Sequence, residues 1–192
     1  YDERPAPVPL SVSVSDGAME QLSVYMEGVR DSSDMLVALT QYLDTLDEPT
    51  VLVFFGDHRP NLGTACTELG RRYNLNETPQ ERVDTYAGPY VIGSNEAYAS
   101  AVDLPARYAA LALPENGYLS DNYLGAMVLQ LIGYHGQSAF FDELNALRAE
   151  LPVLREREAT YCLADGTYTD TLPPELAAAV SRLHKWTYYL LK

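Results

Sequence analysis

Pro49-Thr50-Val51-Leu52-Val53-Phe54-Phe55-Gly56-Asp57-His58-Arg59-Pro60 is the stretch whose reading decides the architecture. Pro49 stops the helical pattern that precedes it. Thr50–Phe55 is a continuous apolar run rich in β-branched and aromatic side chains, the pattern of a strand buried on both faces within a parallel sheet. Gly56, Pro60 and Gly63 end that strand in a turn. Upstream, Leu22, Met26, Val29, Leu36, Leu39, Leu43 and Leu46 recur at mostly three- or four-residue intervals. This spacing predicts an amphipathic helix from about Asp16, with Asp16 as its N-cap. Gly28 and Asp31-Ser32-Ser33-Asp34 interrupt the stripe, so one bent helix or two are both open. Leu39 and Leu43 are expected to face the Val51–Phe55 strand. Helix, short turn and buried strand form the half-unit of an α/β fold.

Further from this centre the pattern continues in the same vein. Pro5, Pro7 and Pro9 forbid a helix at the start, and Ser11-Val12-Ser13-Val14 reads as extended chain. Residues 64–84 are polar and predict a short helix near Cys66–Arg72. Tyr86-Ala87-Gly88-Pro89-Tyr90-Val91-Ile92-Gly93 reads as a second strand, with Pro89 at its start or edge. Helices are predicted over Ser120–Ile132, with Ser120 as cap, over Ser138–Leu151, and from about Pro174. Leu176, Val180, Leu183 and Trp186 form the inner stripe of the last. Asp165-Gly166 predicts a hairpin turn within residues 158–171.

The chain has 192 residues, 13 Lys+Arg and 27 Asp+Glu, a net charge of −14. That length is about one domain. Hydrophobic residues at 47% supply a core, which excludes intrinsic disorder. A sequence pI near 4.4 argues against a nucleic-acid partner, which needs a clustered positive field. Residues 1–50 hold ten acidic and two basic residues, so the acidity is concentrated there. Fifteen tyrosines against four phenylalanines and one tryptophan suit half-buried strands and polar clefts, and a carbohydrate surface or an idiosyncratic one is equally compatible. Cys66 and Cys162 make neither a disulfide framework nor a zinc pattern, leaving one long-range bond or two free thiols open. No apolar run is long enough for a transmembrane helix, and the polar start is no signal peptide. The first methionine is Met19, so the chain is expected to be a piece of a longer protein whose anchor or export signal lies upstream.

Chemistry is most concentrated at Gly56-Asp57-His58. Functional groups in open α/β sheets gather outside the carboxyl ends of strands, and a carboxylate beside an imidazole suits a divalent metal such as Mn²⁺ or Zn²⁺. Adjacent strand residues point to opposite faces, so both can meet one ion only if the chain turns there, as Gly56 permits. On spacing alone a metal pair and a Gly-Asp turn with a solvent-facing His are both open. His135 reads as a solvated loop residue and His184 as a surface one. No G-x-S-x-G elbow, P-loop or dinucleotide motif is present.

Phe54-Phe55-Gly56-Asp57-His58-Arg59-Pro60 resembles the (F/Y)GDH-x-P turn of the lipoteichoic-acid-synthase-like phosphoglycerol transferases and sulfatases, in the alkaline phosphatase superfamily. Tyr25–Asp34 with Leu39, Tyr42 and Leu43 resembles the helix before that turn. Tyr86 and Pro89-Tyr90-Val91-Ile92, followed by Ser94-Asn95, resemble the Y-x-x-P-(F/Y)-(V/L)-I strand. Ser120, Asn122-Tyr123-Leu124-Gly125-Ala126, Leu131 and Gly133 resemble the S-x-N-Y-L-G-A helix. Phe140-Phe141, Leu147-Arg148 and Leu151-Pro152-Val153 resemble the segment after it. These segments agree in order and spacing over roughly residues 20–155.

The resemblance implies the C-terminal half of a sulfatase-like α/β sandwich, helices packed on a mostly parallel sheet, over residues 1–157. A small strand-helix appendage of the same domain would follow over 158–192. It implies that Asp57 and His58 ligate a divalent metal, Mn²⁺ first and Zn²⁺ or Mg²⁺ as alternatives, and that Arg59 can contact an anionic substrate. Arg59 departs from the Leu or Tyr often found after the His. The family's nucleophilic Thr, metal-binding Glu and substrate-binding His and Arg have no match here and are expected upstream, with Tyr1 closing an N-H-x-x-Y motif. The resemblance therefore implies an enzyme as part of a longer chain, with the 192-residue segment inactive alone. The activity implied is phosphoglycerol transfer or phosphodiester hydrolysis on cell-envelope lipids or glycans, on the extracytoplasmic face of a membrane reached through upstream segments. A sulfatase or phosphodiesterase of the same superfamily is the alternative, as is a non-catalytic envelope-binding module.

Overall fold

The computed structural model describes residues 11–70, 78–134, 136 and 138–190. In chain order the elements are α1 (Asp16–Leu43), β1 (Val51–Phe55), α2 (Thr64–Glu68), α3 (Pro79–Tyr86), β2 (Tyr90–Ser94), α4 (Glu96–Ala101) and α5 (Leu104–Ala110). A single 3-10 turn (Asp121–Tyr123) then leads into α6 (Leu124–Leu131), followed by α7 (Ala139–Glu150), β3 (Val153–Arg155), β4 (Thr160–Cys162), β5 (Tyr168–Thr169) and α8 (Pro174–Leu190). The class is mixed α/β, as expected. The described residues fall into two compact units, one within Tyr1–Leu75 and Gly88–Tyr98, the other within Asn76–Ala87 and Ala99–Lys192.

In the first unit α1 runs unbroken through Gly28 and the Asp31–Asp34 cluster. The Ser32 and Ser33 hydroxyls donate back to the Gly28 and Val29 carbonyls, so these residues stay inside the helix. Its N-cap is Ser15 and not Asp16. The Ser15 hydroxyl accepts from Ala18 N–H, and Asp16 sits in the first turn, where its charge meets the positive end of the helix dipole. Glu68 of α2 takes both the Ser15 N–H at 2.7 Å and the Ser15 O–H at 2.6 Å. These two bonds hold the Glu68 carboxyl below the usual carboxylate range. Ala18, Leu22 and Ala65 are buried at this α1–α2 contact, with Val14, Met26 and Leu62 packed around them. Leu39 and Leu43, expected to face the strand, are half-buried, as are Leu36 and Leu46 of the same stripe.

β1 and β2 pair antiparallel, in the register Val51↔Ser94 to Phe55↔Tyr90. This corrects the expected parallel sheet. An apolar run reports how much of a strand is covered, and it carries no information about the direction of its neighbour. Every strand pair among the described residues is antiparallel. β1 is half-buried, with Phe55 and Val91 more than half exposed, so burial on both faces is not found within the described residues.

The second unit buries Tyr123, Ala126, Leu144, Leu147, Leu151, Leu154, Leu176, Val180 and Leu183 in one cluster, so α8 shares a core with α6 and α7. β3, β4 and β5 form a meander, and the β4–β5 turn is the Asp165-Gly166 turn read from sequence. Gly166 takes φ +83°, and the Asp165 carboxylate accepts from Thr167 N–H at 2.9 Å. Ser120 does not cap with its side chain. Its hydroxyl instead accepts from Leu154 N–H at 2.8 Å and donates to Leu154 O at 3.2 Å, tying the turn before α6 to β3.

α3 is a helix where the sequence reading had polar chain and then a strand from Tyr86, the residue that in fact closes α3. Thr78-Pro79-Gln80-Glu81 is its legible signal: a capping box with Pro at the first position, both reciprocal bonds formed. The helix predicted near Cys66–Arg72 is α2, shifted to Thr64–Glu68; residues 71 and 72, like Tyr1 and His135, lie outside the described residues. Cys66 and Cys162 are both free and buried.

Candidate metal centre

The site stands on the β1–β2 pair. Gly56 N–H donates to Pro89 O at 2.9 Å, extending the ladder one step past Phe55↔Tyr90. The two backbones touch at that step. A Cβ on Gly88 would lie 2.9 Å from Gly56 O, and one on Gly56 would lie 3.1 Å from Pro89 Cδ. Glycine at both positions lets the strands close immediately below the turn, and the chain then leaves the strand direction at Asp57. Gly88→Ala should therefore force the Gly56 carbonyl aside and cost about 1–3 kcal/mol, read by urea denaturation. Unchanged stability would show that the contact relaxes freely.

Asp57 and His58 emerge from this base with side chains 93% and 79% exposed. They do not diverge across the sheet: His58 Nε2 lies 3.6 Å from Asp57 Oδ2. Two ligands about 2.0–2.1 Å from one tetrahedral ion are about 3.4 Å apart, so this spacing accommodates a shared ion with little movement. His58 Nδ1 lies 3.2 Å from Arg59 O. A carbonyl only accepts, so Nδ1 donates in this contact, and in the neutral ring that tautomer leaves the Nε2 lone pair for a ligand. A metal-binding imidazole is commonly oriented this way by a backbone carbonyl. Donor chemistry, spacing and tautomer all fit a divalent cation. Arg59 is half-buried directly after the pair. Among the described residues no group of three or more His, Cys, Asp or Glu side chains converges on one point.

The other described histidine, His184 on α8, lies 2.6 Å from Glu156 and is a surface residue, as read from sequence. Asn95, noted in the sequence only as following the second strand, has a structural role that the sequence did not assign. Its side chain is 2% exposed. Oδ1 accepts from Thr50 N–H at 2.9 Å and Tyr98 N–H at 3.0 Å. Nδ2 donates toward the carbonyls of Leu43, Leu46 and Glu48 at 3.1, 3.3 and 2.9 Å. It thus fastens the end of α1 and the start of β1 to the end of β2, which positions the strand that carries Asp57 and His58. Its place after the second strand was its trace in the sequence.

Comparison with known proteins gives two matches. A family model described as Sulfatase matches residues 2–134, which contain the α1–β1–turn–β2 frame. A curated relative from Rhizobium meliloti (strain 1021), described as "Putative cyclic beta-1,2-glucan modification protein", is 29% identical over 79 residues. That alignment covers 39% of this chain and 12% of the relative, so the chain spans about an eighth of that protein's length. No solved structure matches.

Proposed function

This chain belongs to the sulfatase family, and on that premise we propose that it is the metal-turn portion of a divalent-metal-dependent phosphoglycerol transferase or phosphodiester hydrolase of the cell envelope. Family members are enzymes of the alkaline phosphatase superfamily, acting as hydrolases or transferases, typically with a divalent metal. The observation that carries the reading is the approach of His58 Nε2 to Asp57 Oδ2 at 3.6 Å, with Nδ1 of the same ring occupied by Arg59 O.

Asp57 and His58 would hold the ion; the proposal takes Mn²⁺, with Zn²⁺ or Mg²⁺ as substitutes. A divalent ion there supplies positive charge against the charge that develops on a phosphoryl oxygen. The Arg59 carbonyl keeps the His58 proton on Nδ1 and the ring turned outward. Arg59's guanidinium is the proposed orienting cation for the anionic substrate. The nucleophile, proposed as a Thr hydroxyl, and the remaining metal donors come from the rest of the protein. A glycan hydroxyl is the proposed acceptor and an envelope lipid phosphodiester the donor. What supports a glycan is the relative's printed description alone. An extracytoplasmic location is part of the same proposal; none of the described helices is long and apolar enough to cross a membrane.

The test uses the full-length protein stripped with a chelator. A chromogenic phosphodiester should be turned over only after Mn²⁺ is restored, and an aryl sulfate should remain intact. Preferential hydrolysis of the sulfate ester would make the protein a sulfatase. Phosphodiester turnover indifferent to chelation would remove the metal role of Asp57 and His58.

A further inference from the structure

The loop of residues 56–63, which carries Asp57 and His58, is held at both ends within its own unit. At the β1 end, Gly56 N–H donates to Pro89 O at 2.9 Å. At the other end the chain enters α2 through Gly63. Its φ is +51° and its ψ −120°, a conformation open to glycine and strained for any residue with a Cβ. Asn61 Oδ1 accepts from Gly63 N–H at 3.0 Å, and Leu62 packs on the cluster of Ala18, Leu22 and Ala65.

Gln21 of α1 reaches this same end. Its Oε1 accepts from Ala65 N–H at 3.2 Å, alongside Leu62 O at 3.1 Å. A Cβ built on Gly63 would meet the Gln21 amide at 3.5–3.6 Å, so the amide lies directly over the loop exit. α1 and α2 are fastened to each other without it, by Glu68 on Ser15 and by the burial of Ala18, Leu22 and Ala65. What Gln21 adds is a fixed point where the loop leaves for α2.

We propose that Gln21 is a positioning residue for the Asp57–His58 pair. Fixing the loop exit limits the conformations open to two side chains that are 93% and 79% exposed, so less freedom remains to be lost when an ion binds. Gln21 acts through Gly63 and Ala65. The role rests on the metal reading of Asp57 and His58.

The test is Mn²⁺ uptake by the full-length protein after chelator stripping, read from the electron paramagnetic resonance signal of the free ion. Uptake that Asp57→Asn removes marks this site. Gln21→Met keeps the length of the side chain and removes the acceptor. Loss of a partner bonded directly to a metal ligand costs about 10–100-fold in affinity, and Gln21 acts from further away, so the Mn²⁺ dissociation constant should rise about three- to tenfold. The thermal melt of the metal-free protein should move little, because Gln21 is exposed. Gln21→Glu retains an oxygen acceptor and should bind Mn²⁺ like the unaltered protein in high salt, which screens its added charge. Unchanged affinity in Gln21→Met, whether or not the melt falls, overturns the role of Gln21 and leaves the metal reading standing. Equal weakening in Gln21→Glu and Gln21→Met overturns it too. No Asp57-dependent uptake in the unaltered protein removes the metal reading itself.

Discussion

Replacing His58 with alanine in the full-length enzyme is expected to lower turnover at limiting metal by on the order of 10²-fold or more while leaving the fold intact. Loss of a partner that merely orients a metal ligand already costs about 10–100-fold, and loss of the ligand itself exceeds that. Stability should stay within about 0.5 kcal/mol, because the ring is 79% exposed. Asp57→Asn keeps the shape of its side chain and removes the anionic ligand, so it should behave alike. Excess metal should recover part of the activity in either variant, which a residue acting only on substrate would not show. Near-normal turnover of His58→Ala at limiting metal, with phosphodiester activity otherwise present, would sink the metal assignment.

The second large effect concerns stability. Asn95→Ala is expected to destabilise the first unit by about 2–4 kcal/mol, since a buried amide group left without its partner costs about 1–3 kcal/mol and several are affected at once. Thr50 N–H and Tyr98 N–H lose their acceptor, and three carbonyls lose their shared donor. Asn95→Asp separates the two halves of this network. It preserves the acceptor side but sets a carboxylate against the Leu43, Leu46 and Glu48 carbonyls. It should be at least as harmful at neutral pH as the alanine and recover as pH falls and the carboxyl protonates. Chemical denaturation of both variants measures this; a change below about 0.5 kcal/mol for Asn95→Ala would mean that water replaces the amide without loss.

The sequence singles out the Asp57–His58 turn, but the geometry of the turn could not be read from it. A glycine at a strand end permits a change of direction, but permission is compatible with both convergence and divergence of the next two side chains. What closes the base of the turn is Gly88-Pro89, over thirty residues away, whose backbone comes within van der Waals contact of Gly56. The role of Asn95 was invisible for the same reason: its partners are 45–52 residues back along the chain, apart from Tyr98. The local signal for α3, the Thr78–Glu81 capping box, was present in the sequence and was outweighed by the polar composition around it.

By itself the sequence determined the α/β class, the long helix α1, the helices α6, α7 and α8, the strands β1 and β2, and the Asp165-Gly166 hairpin. Each of these rests on interactions among residues a few positions apart, where apolar period, proline and glycine act directly on the backbone. Only the tertiary structure decided that β1 and β2 run antiparallel, that Ser120 pairs with Leu154 instead of capping its helix, and that Asp57 and His58 meet. Strand direction, a buried hydrogen-bond partner and the approach of two side chains are all set by segments distant in sequence. A pattern of local periodicity stays the same whichever distant segment arrives, so these features exist only once the chain has folded.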